Sequence, residues 1–343
     1  MPSGASNRPS VKRSLRRAFD AVGPGTRTGL SYAAAAVIIW FAARGIGLTV
    51  LLRSLRRADA GLFVLVCALS LLIWLLGETL LFSRLFSYFH PRTTFSEMLV
   101  PNTAQYFLQI VNVAIASGVL ILFLNRRKGV PWLTGGATLL FQALVDFQVM
   151  ALMTLAGLIM VGTLPVAGAG YYVGGLVVAL SLLSWFWLRG RPRWRVGRLV
   201  YDRPSMAAFR RAEVSHYVGL FMIRAPIFAC QGFVLYFEML CFHIHVPLAT
   251  VLADTPVILL ITSLPLTPVG LGSEQLMMVL CFSQFAPKPD LLALSLATSL
   301  TGVFLRLLLG VAVVRAFAVS MDLAAFRRTV PALPARALLE QQR

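Results

Sequence analysis

The chain has 343 residues, of which 58% are hydrophobic and 13% charged, and its formal net charge is +18. Several apolar runs reach about 20 residues, the length that crosses a bilayer, so the composition excludes an ordinary water-soluble domain. The Lys and Arg residues lie in tails and loops beside these runs, where they set orientation and attract anionic headgroups. Nucleic acid is therefore not expected as a partner.

The hydropathy pattern predicts an all-α, polytopic integral membrane helix bundle. The predicted segments, in chain order, are 30–52, 60–82, 98–124, 134–162, 165–188, 217–240, 249–287 and 290–317. They form one membrane domain, residues 29–318. We expect residues 1–28 to be a basic, disordered cytoplasmic tail and residues 319–343 to be a second cytoplasmic tail.

Positive charge predicts how these segments cross the inner membrane, because cytoplasmic loops collect Lys and Arg. The stretch 189–211 holds eight arginines, and residues 126–128 are Arg, Arg and Lys, so both face the cytoplasm. With both termini also inside, segment 98–124 begins and ends inside, and segment 249–287 begins and ends outside. Both are predicted to be re-entrant broken-helix hairpins beside about six full spans.

One alternative topology remains open. Arg53, Arg56 and Arg57 fall outside in the first scheme, against the positive-inside rule. In the competing scheme the N-terminus lies outside and segment 98–124 crosses the membrane fully.

The sequence LPLTPVGLGSEQ, residues 264–275, interrupts the apolar run 249–287. Its two prolines donate no backbone hydrogen bond, while Gly270 and Gly272 permit dihedral angles closed to other residues. We expect Ser273 to be the N-cap of a half-helix that begins at Glu274. The start of a helix carries unpaired N–H groups and a partial positive charge, which bind a phosphate or a carboxylate.

This break resembles a known family. The stretch LPLTPVGLGSEQLMMVLCFSQFA, residues 264–286, is similar to the Pro, Gly-Leu-Gly, Glu signature in the transmembrane flippase-like region of bacterial lysylphosphatidylglycerol synthases. Residues 125–158, NRRKGVPWLTGGATLLFQALVDFQVMALMTLAGL, resemble the basic turn and following helix of the same family. The resemblance implies a stand-alone relative without the soluble aminoacyl-transferase domain, acting on membrane lipids.

Ionisable residues at membrane depth are functional candidates, because each costs several kcal/mol unless it is paired or hydrated. The candidates are Arg44, Glu78, Asp146, Arg224, Glu238, Asp254, Glu274 and Arg306. For Arg44, Glu78 and Glu238 we favour structural ion pairs or snorkelling from helix ends. Asp254 is interpreted as facing outside water.

Glu274 and Arg306 are the favoured substrate-binding pair, with the carboxylate taking a cationic headgroup or a proton and the arginine taking a phosphate. Arg224 is a second candidate for the phosphate. Asp146 and Arg224 either line a central polar cavity for the headgroup or stabilise the helix bundle. The polar stretch 102–112 either binds a headgroup or joins helices through hydrogen bonds between amide side chains. The full predicted substrate-binding set is Asn112, Asp146, Arg224, Gly270, Gly272, Ser273, Glu274 and Arg306.

Three functions are compatible with these features. The favoured one is a flippase-like protein that moves an anionic or aminoacylated lipid between leaflets, with no metal and no cofactor, since neither a phosphate loop nor a catalytic motif is present. The second is a membrane-embedded transferase or accessory subunit that acts on a lipid-linked sugar or an isoprenoid, such as a hopanoid. The third is a structural partner that recruits a separate lipid-modifying enzyme through the loop 189–211.

Overall fold

The computed structural model describes residues 53, 56–109, 113–161, 175–182, 201–263 and 272–321. These residues form helices and short connections, without a β-strand in the described ranges, which confirms the all-α prediction. The helices are α1 Ala60–Phe89, α2 Phe95–Gln109, α3 Val113–Lys128, α4 Trp132–Val161, α5 Ala207–Arg211, α6 Val214–Cys241, α7 Leu248–Thr262, α8 Ser273–Phe282 and α9 Lys288–Met321. Residues 175–182 are also helical, and a 3₁₀ turn, Pro204–Met206, precedes α5.

Four described helices are long and apolar enough to cross a membrane: α1, α4, α6 and, in α9, Lys288–Gly310. They correspond to the predicted segments 60–82, 134–162, 217–240 and 290–317. The predicted tails, the segment 30–52 and most of the segment 165–188 lie outside the described residues. The count of six full spans therefore remains a prediction.

The ends of α1 and α6 define two opposite ends of the bundle. Asp59, before α1, donates its backbone N–H to the carbonyl of Cys241 at the end of α6, over 2.9 Å. At the other end, Arg211, just before α6, donates to the carbonyl of Phe89 over 3.3 Å. We call the end that contains Arg211 and Phe89 the basic end; it is formed by residues 84–97, 125–138 and 201–217. We call the end that contains Asp59 and Cys241 the opposite end; it is formed by residues 56–63, 239–248 and 282–291.

Helices α2 and α3 form a hairpin that opens at the basic end. Lys128, the last residue of α3, forms an ion pair of 3.0 Å with Glu97 in the first turn of α2, and the two helices pack side by side. The predicted single stretch 98–124 is thus two helices of 15 and 16 residues. Each is about 22 to 24 Å long, shorter than a hydrocarbon core of about 30 Å.

Helices α7 and α8 form a second hairpin, which opens at the opposite end. Val251 of α7 packs in one apolar cluster with Met278 and Phe282 of α8. The predicted break in the run 249–287 is confirmed, since α7 ends at Thr262 and α8 begins at Ser273. Residues 264–271, which contain Gly270 and both prolines, lie outside the described residues.

The start of α8 differs by one residue from the prediction. Gly272, and not Ser273, is the N-cap, with φ of +93°, a conformation that favours glycine. Its backbone N–H donates to the side-chain carbonyl of Gln275, a residue that is fully buried. The helix therefore begins at Ser273, because the glycine takes the non-helical dihedral angles that a serine N-cap was expected to supply.

Helix packing in the described bundle depends on close backbone approach. A Cβ atom at Gly157 of α4 would lie 2.7 Å from the Cα of Ala253 in α7, so the glycine lets the two backbones meet. Small residues at such crossings are typical of membrane helices, where dispersion contacts and not water exclusion drive association. An apolar cluster lies towards each end of the bundle, around Phe86 and Phe141 at one end and around Phe282 and Leu291 at the other.

Candidate functional site: a buried polar axis

An ion triad joins α1, α4 and α6 inside the bundle. The guanidinium of Arg224 contacts Asp146 at two points, Nε to Oδ1 at 2.8 Å and an amino nitrogen to Oδ2 at 2.8 Å. Its other amino nitrogen lies 3.3 Å from Oε1 of Glu78. Arg224 is 4% exposed and Glu78 is 7% exposed, so the triad is shielded from the surroundings of the bundle.

Neighbouring side chains complete the surroundings of the triad. Tyr106 of α2 donates its hydroxyl to Oε2 of Glu78 over 2.9 Å, and Gln142 donates to Asp146 over 3.0 Å. The rings of Trp74 and Phe228 lie 5.2 and 4.6 Å from the guanidinium carbon of Arg224. Cation–π contacts of this kind add to the ionic ones when the cation is desolvated.

Of the two interpretations of Glu78, a structural ion pair or snorkelling from a helix end, the structure shows the ion pair. Hydropathy ends the predicted segment at residue 82, but α1 continues to Phe89, which makes Glu78 the nineteenth of its 30 residues. The helix extends because Ser83 and Ser87 bond back to carbonyls of the preceding turn and because Leu85, Phe86 and Phe89 are buried by neighbouring helices. Glu78 therefore does not snorkel and lies inside the bundle in an ion pair.

A second polar cluster surrounds the start of α8. Ser299 of α9 donates to Oε2 of Glu274 over 3.1 Å and accepts from the amide of Gln275 over 3.0 Å. Its neighbour Thr298 donates to Oε2 of Glu238 over 3.2 Å, and Cys67 contacts the other oxygen of Glu238 at 3.5 Å. Two adjacent hydroxyls on α9 thus hold the carboxyl groups of Glu274 and Glu238.

Two further expectations are wrong at this cluster. Glu238 is 4% exposed, so it does not snorkel from a helix end. Asp254 is also 4% exposed, seven residues into α7, so it does not face outside water. Glu238 lies inside because Thr298 of α9 and Cys67 of α1 contact its carboxyl group. Asp254 lies inside because α7 packs against α4, α6 and α8.

Arg306 lies between the two polar clusters. Its guanidinium carbon is 5.8 Å from the ring centre of Tyr106, whose hydroxyl bonds to Glu78. On α9 it follows Ser299 by seven residues, about two helical turns or 10 Å. Within the described ranges no carboxylate lies at ion-pair distance from Arg306, and its buried Nε atom has no hydrogen-bond partner.

Two amide oxygens on α2 are also buried without a partner. Asn102 donates its amide to Thr79 over 2.9 Å and to the carbonyl of Leu75 over 3.2 Å, which joins α2 to α1. Its own carbonyl oxygen, and that of Gln105 one turn further on, accept no hydrogen bond in the described structure. Unsatisfied buried groups are uncommon in folded proteins.

The structure places the predicted site residues as follows. Asp146 and Arg224 are brought together directly, whereas Glu274 and Arg306 lie in one polar region without an ion pair. Gly272 and Ser273 lie at the start of α8. Asn112 and Gly270 lie outside the described residues.

Three contributors escaped sequence reasoning: Tyr106, Gln275 and Ser299. Glu78 was named there as an ionisable candidate but was not placed in the substrate-binding set. The available signal was periodicity, since Ser295, Thr298 and Ser299 place hydroxyls on one face of α9. We call the whole set, from Asp146 through Arg306 to Glu238, the polar axis. Among the described residues, no group of three or more His, Cys, Asp or Glu side chains is arranged to hold a metal ion.

Comparison with known families identifies the family of the chain. The family described as the lysylphosphatidylglycerol synthase TM region matches residues 29–310. The chain belongs to this family. No curated protein is similar enough to the chain to count as a match. Family membership and the apolar helices identify a membrane protein related to lipids, and residues 29–310 contain every member of the polar axis.

Proposed function

We propose that the chain is a flippase-like protein that moves an anionic or aminoacylated phospholipid between the leaflets of the inner membrane. The headgroup follows the polar axis while the acyl chains stay in the lipid. Three features support the proposal: membership of a lipid-related membrane family, charged and polar side chains buried inside membrane helices, and the position of Arg306 between the two polar clusters. Ionisable groups at membrane depth mark substrate paths in transporters.

Arg306 is the observation that carries the proposal. Arg224 is already engaged by two carboxylates, and each of its three nitrogens lies in contact with one of them. Arg306 has no such partner among the described residues, and a guanidinium is a strong ligand for a phosphate because its planar fork matches two oxygens at once. We therefore assign the phosphate of the headgroup to Arg306 and give Arg224 a supporting role.

The two hairpins supply the geometry for the crossing. Helices α2 and α3 open at the basic end and α7 and α8 open at the opposite end, and none of the four is long enough to span. We propose that both are re-entrant, with the basic end in the cytoplasm. Opposed broken helices around a site near the midplane are the layout of many transporters. The start of α8, with Gly272 and Ser273, then offers its N–H groups to the headgroup.

Leaflet exchange in reconstituted vesicles tests this function. Vesicles of phosphatidylcholine and phosphatidylglycerol carry a fluorescent phosphatidylglycerol, and a membrane-impermeant reductant bleaches the outer-leaflet copy. We expect wild-type protein to expose the inner-leaflet copy, Arg306→Gln to slow this by at least 10-fold, and Arg306→Lys to retain part of it.

Arg84→Gln is the matched control, because Arg84 is exposed at the basic end and lies off the polar axis. It should exchange lipid at the wild-type rate. Equal rates for folded Arg306→Gln and wild-type protein would remove Arg306 from the mechanism. No exchange above empty vesicles by folded wild-type protein would remove lipid translocation itself.

A further inference from the structure

The orientation of the Asn102 side chain follows from its neighbours on α1. The hydroxyl of Thr79 donates to the carbonyl oxygen of Leu75 over 2.7 Å, so only the lone pairs of that hydroxyl remain for Asn102. The two atoms that the amide of Asn102 meets, the Thr79 hydroxyl oxygen and the Leu75 carbonyl oxygen, are therefore both acceptors. The NH₂ end of the amide must face α1, and the carbonyl oxygen Oδ1 is the end without a partner among the described residues.

Gln105 presents a second carbonyl oxygen of the same kind. It follows Asn102 by three residues on α2, which places both side chains on one face of the helix with their Cβ atoms about 5 to 6 Å apart. Asn102 is fully buried and Gln105 is 7% exposed. The described part of the chain offers no donor to Oε1 of Gln105. Two buried acceptors thus lie close together on one helix face.

Helix packing explains the amide at position 102 but not the one at position 105. The NH₂ group of Asn102 joins α2 to α1, whereas the side chain of Gln105 makes no hydrogen bond to a described residue. A carbonyl oxygen taken out of water without a replacement donor destabilises a protein, and an apolar side chain of similar size would pack at lower cost. We therefore look for a donor outside the chain.

The two oxygens lie near the residue assigned to the phosphate. Tyr106 directly follows Gln105 and lies one helical turn, about 6 Å, beyond Asn102. Its ring centre is 5.8 Å from the guanidinium carbon of Arg306, and α2 packs against both α1 and α9. The group that a phospholipid carries beyond its phosphate can therefore reach this face of α2 while the phosphate contacts Arg306.

Uncharged acceptors select hydrogen-bond donors and not charge. A carbonyl oxygen accepts from the hydroxyls of a glycerol headgroup or from the N–H groups of an ammonium headgroup. A methyl ester or a trimethylammonium group has no such donor and would leave both oxygens buried and unpaired. Sites that hydrogen-bond an O–H or N–H group discriminate strongly against analogues without it, for this reason.

We propose that Asn102 and Gln105 recognise the part of the lipid headgroup beyond the phosphate, and that this part carries O–H or N–H donors. Oδ1 of Asn102 and Oε1 of Gln105 each accept one hydrogen bond from it. The placement of the phosphate at Arg306 rests on the proposed function, whereas the preference for a donor-bearing headgroup is a property of binding and does not require transport. Choline and methyl headgroups are excluded from the site.

Native mass spectrometry of lipids retained by the full chain tests this preference. One mixture holds equal amounts of phosphatidylglycerol and phosphatidylmethanol, which share a charge and differ in hydroxyl donors. The other holds phosphatidylethanolamine and phosphatidylcholine, which differ in N–H donors. Wild-type protein should retain the donor-bearing lipid at least about 5-fold more in one or both mixtures, the effect of one net hydrogen bond, and the mixture names the donor. Ratios near one in both mixtures would overturn the proposal.

The variant Gln105→Met separates recognition from packing. Methionine has a similar shape and no buried donor or acceptor to satisfy, so the thermal midpoint should stay the same or rise while the retention ratio falls towards one. Gln231→Met is the matched control, because the carbonyl oxygen of Gln231 accepts from Ser70 over 3.0 Å and lies outside the polar axis. It should keep the wild-type ratio.

The remaining outcomes would count against the proposal. A folded Gln105→Met that keeps the wild-type ratio would remove Gln105 from recognition of the headgroup. If Gln105→Met does not fold, Gln105→Leu takes its place, and failure of both to fold would show that the amide serves the bundle instead. The exchange assay separates the two proposals: a donor preference without lipid exchange would refute transport alone, and exchange without a preference would refute this site alone.

Discussion

Arg224 and Asp146 meet through two contacts of 2.8 Å inside the bundle, 78 residues apart in the chain and on different helices. The pair closes α6 against α4, and Glu78 adds α1 to the same guanidinium. A buried pair of this kind is weak evidence for stability by itself, but removal of one partner strands the other charge. The triad therefore fixes how three membrane helices are placed around the polar axis.

Arg224→Gln should destabilise the protein strongly. It leaves the buried Glu78 and the partly buried Asp146 without their counterion, and loss of one partner of a buried pair costs about 3 to 5 kcal/mol. Thermal unfolding of the purified protein, followed by circular dichroism in one detergent, should show a clearly lower midpoint. Arg224→Lys should recover only part of the loss, because an ammonium cannot make the two-point contact. An Arg224→Gln midpoint equal to that of Arg84→Gln would show that the triad does not hold the helices.

Glu274→Gln should separate function from folding. Ser299 can still bond to the amide, so the α8 start and the expression level should be kept, while leaflet exchange should fall to the rate of empty vesicles. Glu213→Gln, at an exposed position before α6, is the matched control and should exchange normally. Normal exchange by folded Glu274→Gln would take this carboxyl out of the transport path.

Gly157→Leu should force α4 and α7 apart. The first added atom would already lie 2.7 Å from the Cα of Ala253, and a backbone atom cannot yield as a side chain does. We expect a loss of at least about 1 to 3 kcal/mol, the usual cost of overpacking. Gly118→Ala in α3 meets nothing within 4 Å and should be neutral or slightly stabilising. Similar unfolding midpoints for the two variants would contradict the close crossing.

The stabilisation that the ion pair of Lys128 and Glu97 gives to the first hairpin should depend on pH. The backbone N–H of Thr94 and then Lys128 hold the pKa of Glu97 below its usual range. A lowered pKa means that the stabilisation is fully present above the unfolded value and is lost as pH falls through the folded value. The midpoint difference between wild-type protein and Glu97→Gln, worth less than about 1 kcal/mol at an exposed site, should thus shrink in acid. A difference that grows in acid would contradict this sign.

Cysteine labelling from one side of the membrane tests both hairpins. Ser96→Cys and Arg127→Cys are exposed at the open end of the first hairpin, and His245→Cys and Ser283→Cys at that of the second. A membrane-impermeant maleimide applied to intact cells should label the second pair and not the first. Labelling of only one of Ser96→Cys and Arg127→Cys would instead support a full crossing by segment 98–124.

The sequence predicted the positions of the helices along the chain more accurately than it predicted which face of each helix turns towards the interior of the bundle. The break around Gly272 was visible because proline and glycine act locally, and the hairpin ends followed from the positions of Arg and Lys. The partners of Glu78 and Glu238 were not visible, because lipid and helix interior are equally apolar and hydropathy does not tell which face of a helix turns inward. The extension of α1 to Phe89 was missed for a related reason, since Ser83 and Ser87 look like a boundary until neighbouring helices cover them.

A structure of the protein determined in phosphatidylglycerol nanodiscs would test the central claim most directly. We expect a lipid phosphate within about 3 Å of the guanidinium of Arg306, the distance of a charge-assisted hydrogen bond. The acyl chains of that lipid should leave the bundle between helices. An Arg306 side chain paired with Glu274 instead, with every lipid phosphate confined to the two membrane surfaces, would contradict the account.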